Sequence, residues 1–593
     1  MSLKPLPLAP GLYTINTSRG AKGRWKDGDH VRFRHGLSQK LGGWTKVISS
    51  AVFAGKARGV KDWAALSVQK IIGMGTHLKL YVWIGGTFSD ITPIRESSTL
   101  ANDPFAVVNT STTVTVTDVD HGLSVGDYAH YSGATAGGGI TINGEYAVVT
   151  VPTTGSYTIT HSTPATSTDA TTGGAAVAYS YEVPVGTGDS AAGLGYGIGP
   201  YGASTYGTAR SVSGLLNMCR IWSLDNWGED LIACPRGGGI YVWDSSTGVG
   251  TRAVVVTNAP TTCKAILMSS ENRHLIALGA HDGAVSDPLL IRWCSSEDYT
   301  AWTASVTNTA GDKRLDFGNE IYCCIKTSKE SAIFTDSTLY TMTFDGPPYT
   351  FGFSYIGLNG GIAGPNAAKE QDGRVFWMGK GNFFVYDGAI KTLFCEVLNH
   401  VFDDINWTQR AKIYAGSNRE FSEVWWLYPT AASTECDAYV IYNVVENHWT
   451  YGTLARTFIV GDSDTFPTPY AAGTDGYLYD HESGVDDDAS ALESSLESGD
   501  VDIDDGEYLM HVRKVVPDFK TLDGSISLTL NGKEYPGSSE TIASTAQTIT
   551  ATTKFVNPRI RARQVSVSLV TTAVGDDWRM GTLRLDVKQH GKK

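Results

Sequence analysis

Hydrophobic and polar residues alternate in short runs along most of the chain, and turns rich in Gly, Asp and Asn separate the runs. Thr112–Thr117 and Ser525–Leu530 alternate at every position, which is typical of strands with one face on a core. Gly supplies 66 of the 593 residues, and Ser and Thr are abundant. This composition favours short strands and tight turns over long helices. The pattern therefore predicts an all-β protein.

One phrase, a small turn followed by an aromatic-rich strand, recurs along the sequence. Its clear copies are Lys79–Trp83, Gly239–Asp244, Ser337–Tyr340, Asn382–Gly388, Ala438–Asn443 and Asp475–Asp480. Repetition of a strand-and-turn unit is typical of folds that stack similar small sheets. We expect a β-propeller-like core of six to eight blades, in which most aromatic residues serve packing before chemistry.

Shifts in composition divide the chain into six parts. The predicted parts are a basic N-terminal β segment joining the propeller (1–62), the propeller (63–98 and 210–484), an inserted small β-barrel or sandwich module (99–182), a Gly/Tyr-rich loop (183–209), an acidic linker (485–507) and a C-terminal β domain (508–593). Within the loop, Gly193–Gly202 is too rich in Gly for a regular element, so we expect it to be exposed and mobile.

Charge is unevenly distributed. The net charge of −14 argues against a general nucleic-acid coat. Residues 1–62 and the C-terminal stretch are basic, whereas 486–507 carries no Lys or Arg. Oppositely charged segments suggest matching between subunits or a polarised surface. The sequence has no run of 18 apolar residues, so we expect no membrane span, and its start lacks a signal-peptide pattern. We expect assembly in a cytoplasm.

The sequence predicts neither a metal nor a cofactor. The eight cysteines form no Cys-x-x-Cys pair, which favours buried free thiols in a reducing compartment. Asp500–Gly506 resembles a calcium loop, but Asp505 stands where that loop requires Gly, and His511 stands where it requires a bidentate acid. We interpret this stretch as a solvated acidic linker.

Catalytic motifs are also missing: there is no Gly-x-Ser-x-Gly, no phosphate loop and no His-Glu-x-x-His. Asp403 and Asp404, with Asp372, could offer the paired carboxylates of a propeller-type glycoside hydrolase. Ser296–Trp302 faintly resembles the Asp-box turn of sialidases, but it lacks that motif's Gly and occurs once. We therefore expect a structural turn there and no enzyme activity.

Two histidines and three aromatic residues have structural interpretations. His35 and His121 precede Gly in turns, where a histidine needs no catalytic role. Trp25, Phe33 and Trp44 could stack nucleic-acid bases beside their arginine neighbours. Packing in a small β unit explains them better, because the aromatic and basic residues fall on opposite faces of the strand.

Three parts of the sequence resemble the tail nozzle or tail-tube protein of short-tailed bacteriophages, a family also labelled phage stabilisation proteins. The stretches that carry the resemblance are Gly23–Arg34 continuing through Lys40–Trp44, then Trp222–Leu231 with Gly239–Asp244, and finally Val516–Phe519 with Arg559–Arg563 and Trp578–Gly581. His121–Asp127 in the insertion is similar to small β modules that decorate phage structural proteins. The resemblance spans nearly the whole chain, through motifs of middling specificity, and the insertion at 99–182 departs from the family pattern.

The resemblance implies a virion tail protein. It implies a hexameric ring below the portal and adaptor, with a lumen that passes double-stranded DNA without sequence-specific binding and is plugged before ejection. The insertion would lie outside, near tail fibres or spikes. A net charge of −14 suits such a conduit, because each cationic phosphate contact adds affinity. The alternatives that stay open are the glycoside hydrolase and a carbohydrate-binding module built on 99–182.

The candidate contact residues are arginines of the two basic segments. In the strand at 31–34, Val31 and Phe33 share one face, and Arg32 and Arg34 share the other with His30. Under the ring hypothesis, the candidate inter-subunit or adaptor contacts are Arg24, Arg32, Arg34, Arg559, Arg561 and Arg563.

Overall fold

The computed structural model describes residues 3–50, 52–195, 210–269, 272–281, 283, 286–358, 360–461, 463, 465–503, 506–536, 538 and 542–591. Strands dominate these residues. The helical segments among them are the five-residue α1 (Leu398–Phe402) and two 3₁₀ turns, Ser245–Thr247 and Trp407–Lys412. The predicted all-β class is confirmed. In the part of the chain that is described, no helix combines the length and hydropathy that a membrane crossing requires.

The first 100 residues contain a run of short strands and one four-stranded sheet. The N-terminal strands are β1 (Leu3–Pro5), β2 (Ala9–Leu12), β3 (Arg24–Asp29), β4 (Val31–Arg34), β5 (Leu37–Lys40) and β6 (Trp44–Lys46). The sheet comprises β7 (Ala57–Ala64), β8 (Lys70–Thr76), β9 (Leu80–Ile84) and β10 (Thr87–Asp90).

An inserted module follows directly after this sheet. Its strands are β11 (Ile94–Thr99), β12 (Phe105–Val107), β13 (Thr113–Thr117), β14 (Tyr128–Ser132), β15 (Gly144–Thr153), β16 (Ser156–Thr160), β17 (Asp169–Thr172) and β18 (Ala178–Glu182). They form one eight-stranded sheet in the order β11-β18-β14-β15-β16-β13-β12-β17. The chain enters and leaves through the paired strands β11 and β18, where Thr99 lies opposite Ala178.

Two strands and two further sheets follow the module. The two strands, β19 (Ala191–Gly195) and β20 (Arg210–Asn217), pair with each other. The sheets comprise β21 (Trp222–Trp227), β22 (Asp230–Pro235), β23 (Tyr241–Trp243) and β24 (Val254–Val255), then β25 (Ala265–Met268), β26 (Leu275–Leu278), β27 (Leu290–Trp293) and β28 (Gly311–Arg314).

The remaining repeats use the same arrangement of strands. They are β29 (Ile321–Lys326), β30 (Ser331–Thr335), β31 (Thr338–Gly346), β32 (Thr350–Leu358); β33 (Ala368–Gln371), β34 (Arg374–Met378), β35 (Phe383–Tyr386), β36 (Ile390–Leu393); β37 (Tyr414–Asn418), β38 (Glu423–Tyr428), β39 (Ala438–Asn443), β40 (His448–Thr453); and β41 (Arg456–Val460), β42 (Tyr470–Gly473), β43 (Leu478–His481). The last three strands gain β6 as their fourth.

The described residues thus contain seven four-stranded antiparallel sheets of the blade type, in which neighbours in sequence are neighbours in the sheet. The strand supplied by β6 comes from the other end of the chain and pairs Trp44 with His481. This repeated sheet is the unit that the recurring aromatic phrase predicts, and the propeller-like class is confirmed. The aromatic residues of the phrase serve as core, as Trp243, Phe383 and Tyr439 illustrate by being at most 1% exposed.

The C-terminal strands do not form a separate domain. They are β44 (Ser494–Ser498), β45 (Val501–Asp502), β46 (Met510–Val516), β47 (Phe519–Asp523), β48 (Ser525–Lys533), β49 (Ile542–Ala543), β50 (Gln547–Thr550), β51 (Ile560–Ala562), β52 (Gln564–Thr571), β53 (Asp577–Met580) and β54 (Arg584–Gln589). N-terminal strands enter their sheets: β1 pairs with β54, β3 with β44, and β5 with β53. The prediction for 1–62 gave this segment to the propeller, whereas β1–β5 belong with the C-terminal strands.

The acidic segment also differs from its prediction. Residues 485–507 were expected to form a linker, yet β44 and β45 lie within them and pair with β52. Ser494, Leu496 and Ser498 are buried while Ser495 and Glu497 are not, so the segment has the period of a strand. Its high acid content concealed that alternation. Asp504 and Asp505 lie outside the described residues.

The chain forms two compact units. One comprises Met1–Val52, Ser190–Asn217 and Asp316–Lys593, and the other comprises Phe53–Asp189 and Met218–Leu315. The second unit holds the sheets β7–β10, β21–β24 and β25–β28 together with the module. The predicted loop at 183–209 contains β19, which pairs with β20 directly after the loop. The last residues of the loop, 196–209, lie outside the described part of the chain, as do most of the positions predicted to be mobile.

Close backbone packing joins neighbouring sheets inside the second unit. Trp222 is 3% exposed, and its indole N–H donates to the Thr76 carbonyl at 2.8 Å. A Cβ built on Gly75 would lie 2.2 Å from Cγ of Trp222. Glycine at position 75 therefore provides the space that the indole occupies between two sheets.

Candidate functional site

A cluster of six ionisable residues lies where the inserted module meets the sheets of the second unit. We call it the Lys79 cluster: Lys79, Asp90, His130, Glu145, Glu182 and Arg252. Lys79 follows the turn after β8, and its side chain is 3% exposed. Its Nζ lies 3.0 Å from Asp90 Oδ2 and 2.8 Å from one oxygen each of Glu145 and Glu182. One ammonium thus holds a β10 residue and two module residues together.

Arg252 supplies a second cation to the same carboxylates. Its Nη1 lies 3.0 Å from Asp90 Oδ1 and 2.8 Å from Glu182 Oε1, and its Nη2 lies 3.1 Å from His130 Nε2. Burial by itself would raise the pKa of Asp90, but Lys79 and Arg252 lower it. Burial would lower the pKa of Lys79, but Glu182 and Asp90 raise it. These ion pairs therefore favour the charged forms of Lys79 and Asp90.

Among the residues that the structure describes, one group has metal-ligand geometry, and it belongs to this cluster. Ligand atoms of His130, Glu145 and Glu182 all lie within 4.8 Å of one another. Lys79 Nζ and Arg252 Nη1 already contact Glu182 Oε1. Two protein cations therefore neutralise the acids, which is the role that a bound metal ion would have. Three carboxylates face two cations and one histidine, which fits an ion-pair network that anchors the module.

A second buried network lies in the first unit around Arg32 of β4. The Arg32 side chain is 1% exposed and forms two bidentate pairs, with Glu423 at 3.0 Å and with Glu482 at 2.6 and 2.9 Å. Its guanidinium carbon lies 3.6 Å from the ring centroid of Phe421. Burial would lower the pKa of Arg32, but the two carboxylates raise it. The network ties β4 to β38 and to the end of β43.

This burial corrects one of the predicted contact residues. Arg32 was expected to share an outward face of its strand with Arg34, and instead it has no surface to offer a neighbouring subunit. Strand alternation separates two faces but does not reveal that both are covered. Arg34 remains 37% exposed, 4.8 Å above the ring of Phe421 and 3.8 Å from Glu420.

The other four predicted arginines occupy different environments. Arg24 donates to Glu396 and lies 4.9 Å from the ring of Tyr13, with 28% of its side chain exposed. Arg563 donates to the carbonyls of residues 506 and 507 at 3.1 and 3.0 Å. Arg559 and Arg561 are exposed beside or on β51. As contacts to a neighbour or adaptor, these four and Arg34 stay predictions.

The oppositely charged segments meet inside the chain. Asp502, whose side chain is 1% exposed, pairs with Arg19 at 3.4 Å and Lys22 at 2.5 Å. Lys533 pairs with Asp500 at 3.0 Å, and Lys26 with Glu497 at 2.9 Å. Three acids of the segment expected to be a solvated linker, Glu497, Asp500 and Asp502, are therefore paired, and charge matching that was expected between subunits is at least partly intramolecular.

The carboxylates considered for glycoside hydrolysis stand on exposed turns. Asp403 and Asp404 are exposed at the C-terminal end of α1, and Asp372 is exposed in the β33–β34 turn with φ of +53°. In the Ser296–Trp302 turn, Asp298 accepts from both the backbone N–H and the hydroxyl of Thr300, at 2.9 and 2.6 Å. These two hydrogen bonds stabilise the turn, in agreement with its interpretation as a structural turn.

Both turn histidines have structural partners. His121 is 3% exposed; its Nδ1 accepts from the Leu123 N–H at 3.0 Å, and its ring packs 4.9 Å from that of Tyr157. His35 adopts a positive φ, and its backbone N–H donates to Glu446 at 2.7 Å. Sequence alone indicated that these residues shape turns, and their hydrogen bonds agree.

A cavity of about 540 Å³ in the first unit includes His30 and Trp44 in its lining. Two of its carboxylates already accept internal hydrogen bonds: Asp29 from Thr453, and Asp437 from Thr430. Both ring nitrogens of His30 lie 2.7–2.8 Å from backbone carbonyl oxygens. These two carboxylates and the His30 ring are thus committed to the fold.

Together these features define an all-β protein of propeller-like sheets whose described buried charges bind structural elements to one another. No family model and no curated protein sequence matches the chain. Solved structures that it matches include the endosialidase of phage phi92 (11% identity, TM-score 0.17, 84% of this chain and 64% of that one). They also include exo-β-1,3-galactanase from Phanerochaete chrysosporium (6%, 0.19, 61% and 95%).

A third match is PorZ, a bacterial surface component of the type-IX secretion system of Porphyromonas gingivalis (8% identity, TM-score 0.22, 94% of this chain and 59% of that one). The chain spans less than two thirds of the phage endosialidase and of PorZ. With every TM-score far below 0.5, these likenesses carry no conclusion about function.

Proposed function

We propose that this chain is a structural protein of a bacteriophage virion, a ring-forming nozzle at the end of a short tail that retains and channels DNA. Three stretches of the sequence resemble that family, and the first of them, Gly23–Trp44, supplies β3–β6. The observation that carries the proposal is the joining of both ends of the chain in shared sheets, with β1 on β54 and β3 on β44. A protein whose two ends pair in shared sheets suits a particle that must resist internal pressure.

The distribution of charge supports the same proposal. The buried acids of the Lys79 cluster and the Arg32 network are paired with cations, and the exposed Asp403 and Asp404 stand on a turn. A net charge of −14 suits a conduit that DNA passes without tight binding. The hydrolase and the carbohydrate-binding module stay the alternatives to this proposal.

Electron microscopy of the purified chain and of virions tests the proposal. We expect rings, six-fold by the family resemblance, and incorporation at the tail. Arg34→Glu combined with Arg561→Glu should weaken ring formation while circular dichroism stays unchanged, because both side chains are exposed. Lys313→Glu, an exposed charge reversal on β28, is the matched control and should leave rings intact.

Two outcomes would reject the proposal. One is a monomer at every concentration that never enters virions. The other is release of sugars from host capsule or lipopolysaccharide that Asp403→Asn or Asp404→Asn abolishes, which would establish the hydrolase instead.

A further inference from the structure

Two buried cysteines of the second unit lie almost within bonding distance. The sulfur atoms of Cys234 and Cys263 are 3.1 Å apart, and the residues are 0% and 1% exposed. Cys234 lies on β22, and Cys263 lies two residues before the start of β25, so the pair connects two neighbouring four-stranded sheets. Both belong to one apolar cluster with residues of each sheet, including Ile232 and Ile266.

Backbone hydrogen bonds hold the two cysteines in this position. The Gly237 N–H donates to the Cys263 carbonyl at 2.7 Å, and the Cys263 N–H donates to the Gly238 carbonyl at 2.9 Å. The Gly238 N–H closes a turn on the Pro235 carbonyl at 2.7 Å. The short sulfur–sulfur distance therefore follows from a braced backbone and is only about 1 Å longer than a disulfide bond of ~2.05 Å.

We propose that Cys234 and Cys263 are a redox pair that closes to a disulfide when the protein meets a peroxide, and so cross-links the two sheets. One thiol attacks the peroxide O–O bond, becoming a sulfenic acid and releasing water. The sulfur of the second thiol then attacks the sulfenic sulfur, the S–O bond breaks, and a second water leaves. Two thiols lose two electrons in total, and hydrogen peroxide is reduced to two waters.

The environment makes this reaction slow inside a cell. The hydrogen bond with Cys234 raises the pKa of Cys263 well above its usual value, and burial adds to the effect. Since the thiolate is the reactive form, Cys263 reacts slowly near neutral pH and faster in alkaline solution. A reducing cytoplasm keeps both cysteines in the thiol form, whereas a particle outside the cell is no longer in contact with cytoplasmic reductants. The cross-link would thus form after release and strengthen a finished assembly.

Cys294 provides a matched control within the same unit. It follows the last residue of β27 and is 0% exposed. Its sulfur accepts from the Leu275 N–H at 3.0 Å and donates to the Ser295 carbonyl at 3.1 Å. Its sulfur contacts are backbone groups, so peroxide should leave it as a thiol while the Cys234–Cys263 pair oxidises.

The test treats the full chain with hydrogen peroxide, with a reduced sample alongside, then unfolds it in an alkylating agent and maps the peptides. We expect the loss of two of the eight thiols, one cross-linked peptide joining Cys234 and Cys263, faster closure at alkaline pH, and a higher Tm. The Tm rise should vanish in Cys234→Ala and persist in Cys294→Ala.

Recovery of both cysteines as alkylated thiols after alkaline peroxide treatment would overturn the proposal, as would a cross-link between other cysteines. If Cys234→Ala does not fold, Cys263→Ala replaces it, and peptide mapping of the unaltered chain decides the question without any variant. Failure here would leave the ring proposal untouched, because the two are read out by different measurements.

Discussion

Single residues with buried charge explain much of how this chain holds together. The alternation at 31–34 correctly predicts a strand and the two faces of its side chains. It does not predict that Arg32 is covered, because its partners Glu423 and Glu482 lie 391 and 450 residues further along the chain. A local pattern reveals which face is polar, whereas the ion pairs that make burial of that face tolerable depend on distant residues.

Arg32→Met should destabilise the first unit strongly, because it leaves two carboxylates without their cation. Removing one partner of a buried ion pair typically costs about 3–5 kcal/mol. We expect a clear fall in the urea midpoint of unfolding followed by tryptophan fluorescence. Arg34→Met, on the same strand but 37% exposed, should cost less than about 1 kcal/mol. Equal shifts for the two variants would show that the Arg32 pairs contribute no special stability.

At the scale of elements, composition and turn signals predict the inserted module and its strands. Its anchoring could not be predicted, because the Lys79 cluster assembles residues from β10, β14, β15, β18 and the segment before β24. Each contributes one side chain, and none of these side chains is part of a motif. The strand pair β11–β18 gives the module two covalent connections side by side, and the cluster adds the ion pairs that fix its base.

The Lys79 cluster should make stability depend on pH. Asp90 has a pKa lowered below its unfolded value of about 3.9, so its contribution is present above that pH and is lost as pH falls through the folded pKa. The raised pKa of Lys79 places the opposite loss in alkaline solution, above about pH 10.4. Asp90→Asn should lower the Tm near neutral pH, and its difference from the unaltered chain should shrink in strong acid.

Tm measured across that pH range checks this expectation. Asp372→Asn is the control, since that carboxylate is exposed on a hairpin turn and should leave the Tm unchanged. A constant gap between Asp90→Asn and the unaltered protein at all pH values would contradict the linkage.

For the whole molecule, the repeated sheets are predictable and the arrangement of the chain ends is not. The aromatic phrase identifies blade strands from local sequence. The pairing of Leu3 with Asp586 joins residues from opposite ends, and no local period encodes such a partner. The acidic β44 was hidden for a related reason: it becomes a strand between β3 and β52, both of which lie far away in sequence.

Removing residues 1–12 should expose the sheets of the C-terminal strands. The deletion takes away β1 and β2, so β54 and β3 each lose a paired neighbour, and an unpaired edge invites aggregation. We expect faster proteolysis within 510–591 and a loss of monodispersity, measured by mass-mapped digestion and light scattering. Lys4→Ala keeps the strand and should behave like the unaltered chain. Unchanged digestion of the deletion variant would show that these edges need no cover.

The pairing of β6 with β43 has a consequence for synthesis on the ribosome. The N-terminal strand emerges first but has to wait for Leu478–His481 before its sheet can be completed, and β1 waits until Arg584–Gln589 is made. A polypeptide that ends before Leu478 can complete neither sheet, and one that ends between His481 and Arg584 lacks the partner of β1. Early termination would therefore yield open, protease-sensitive products.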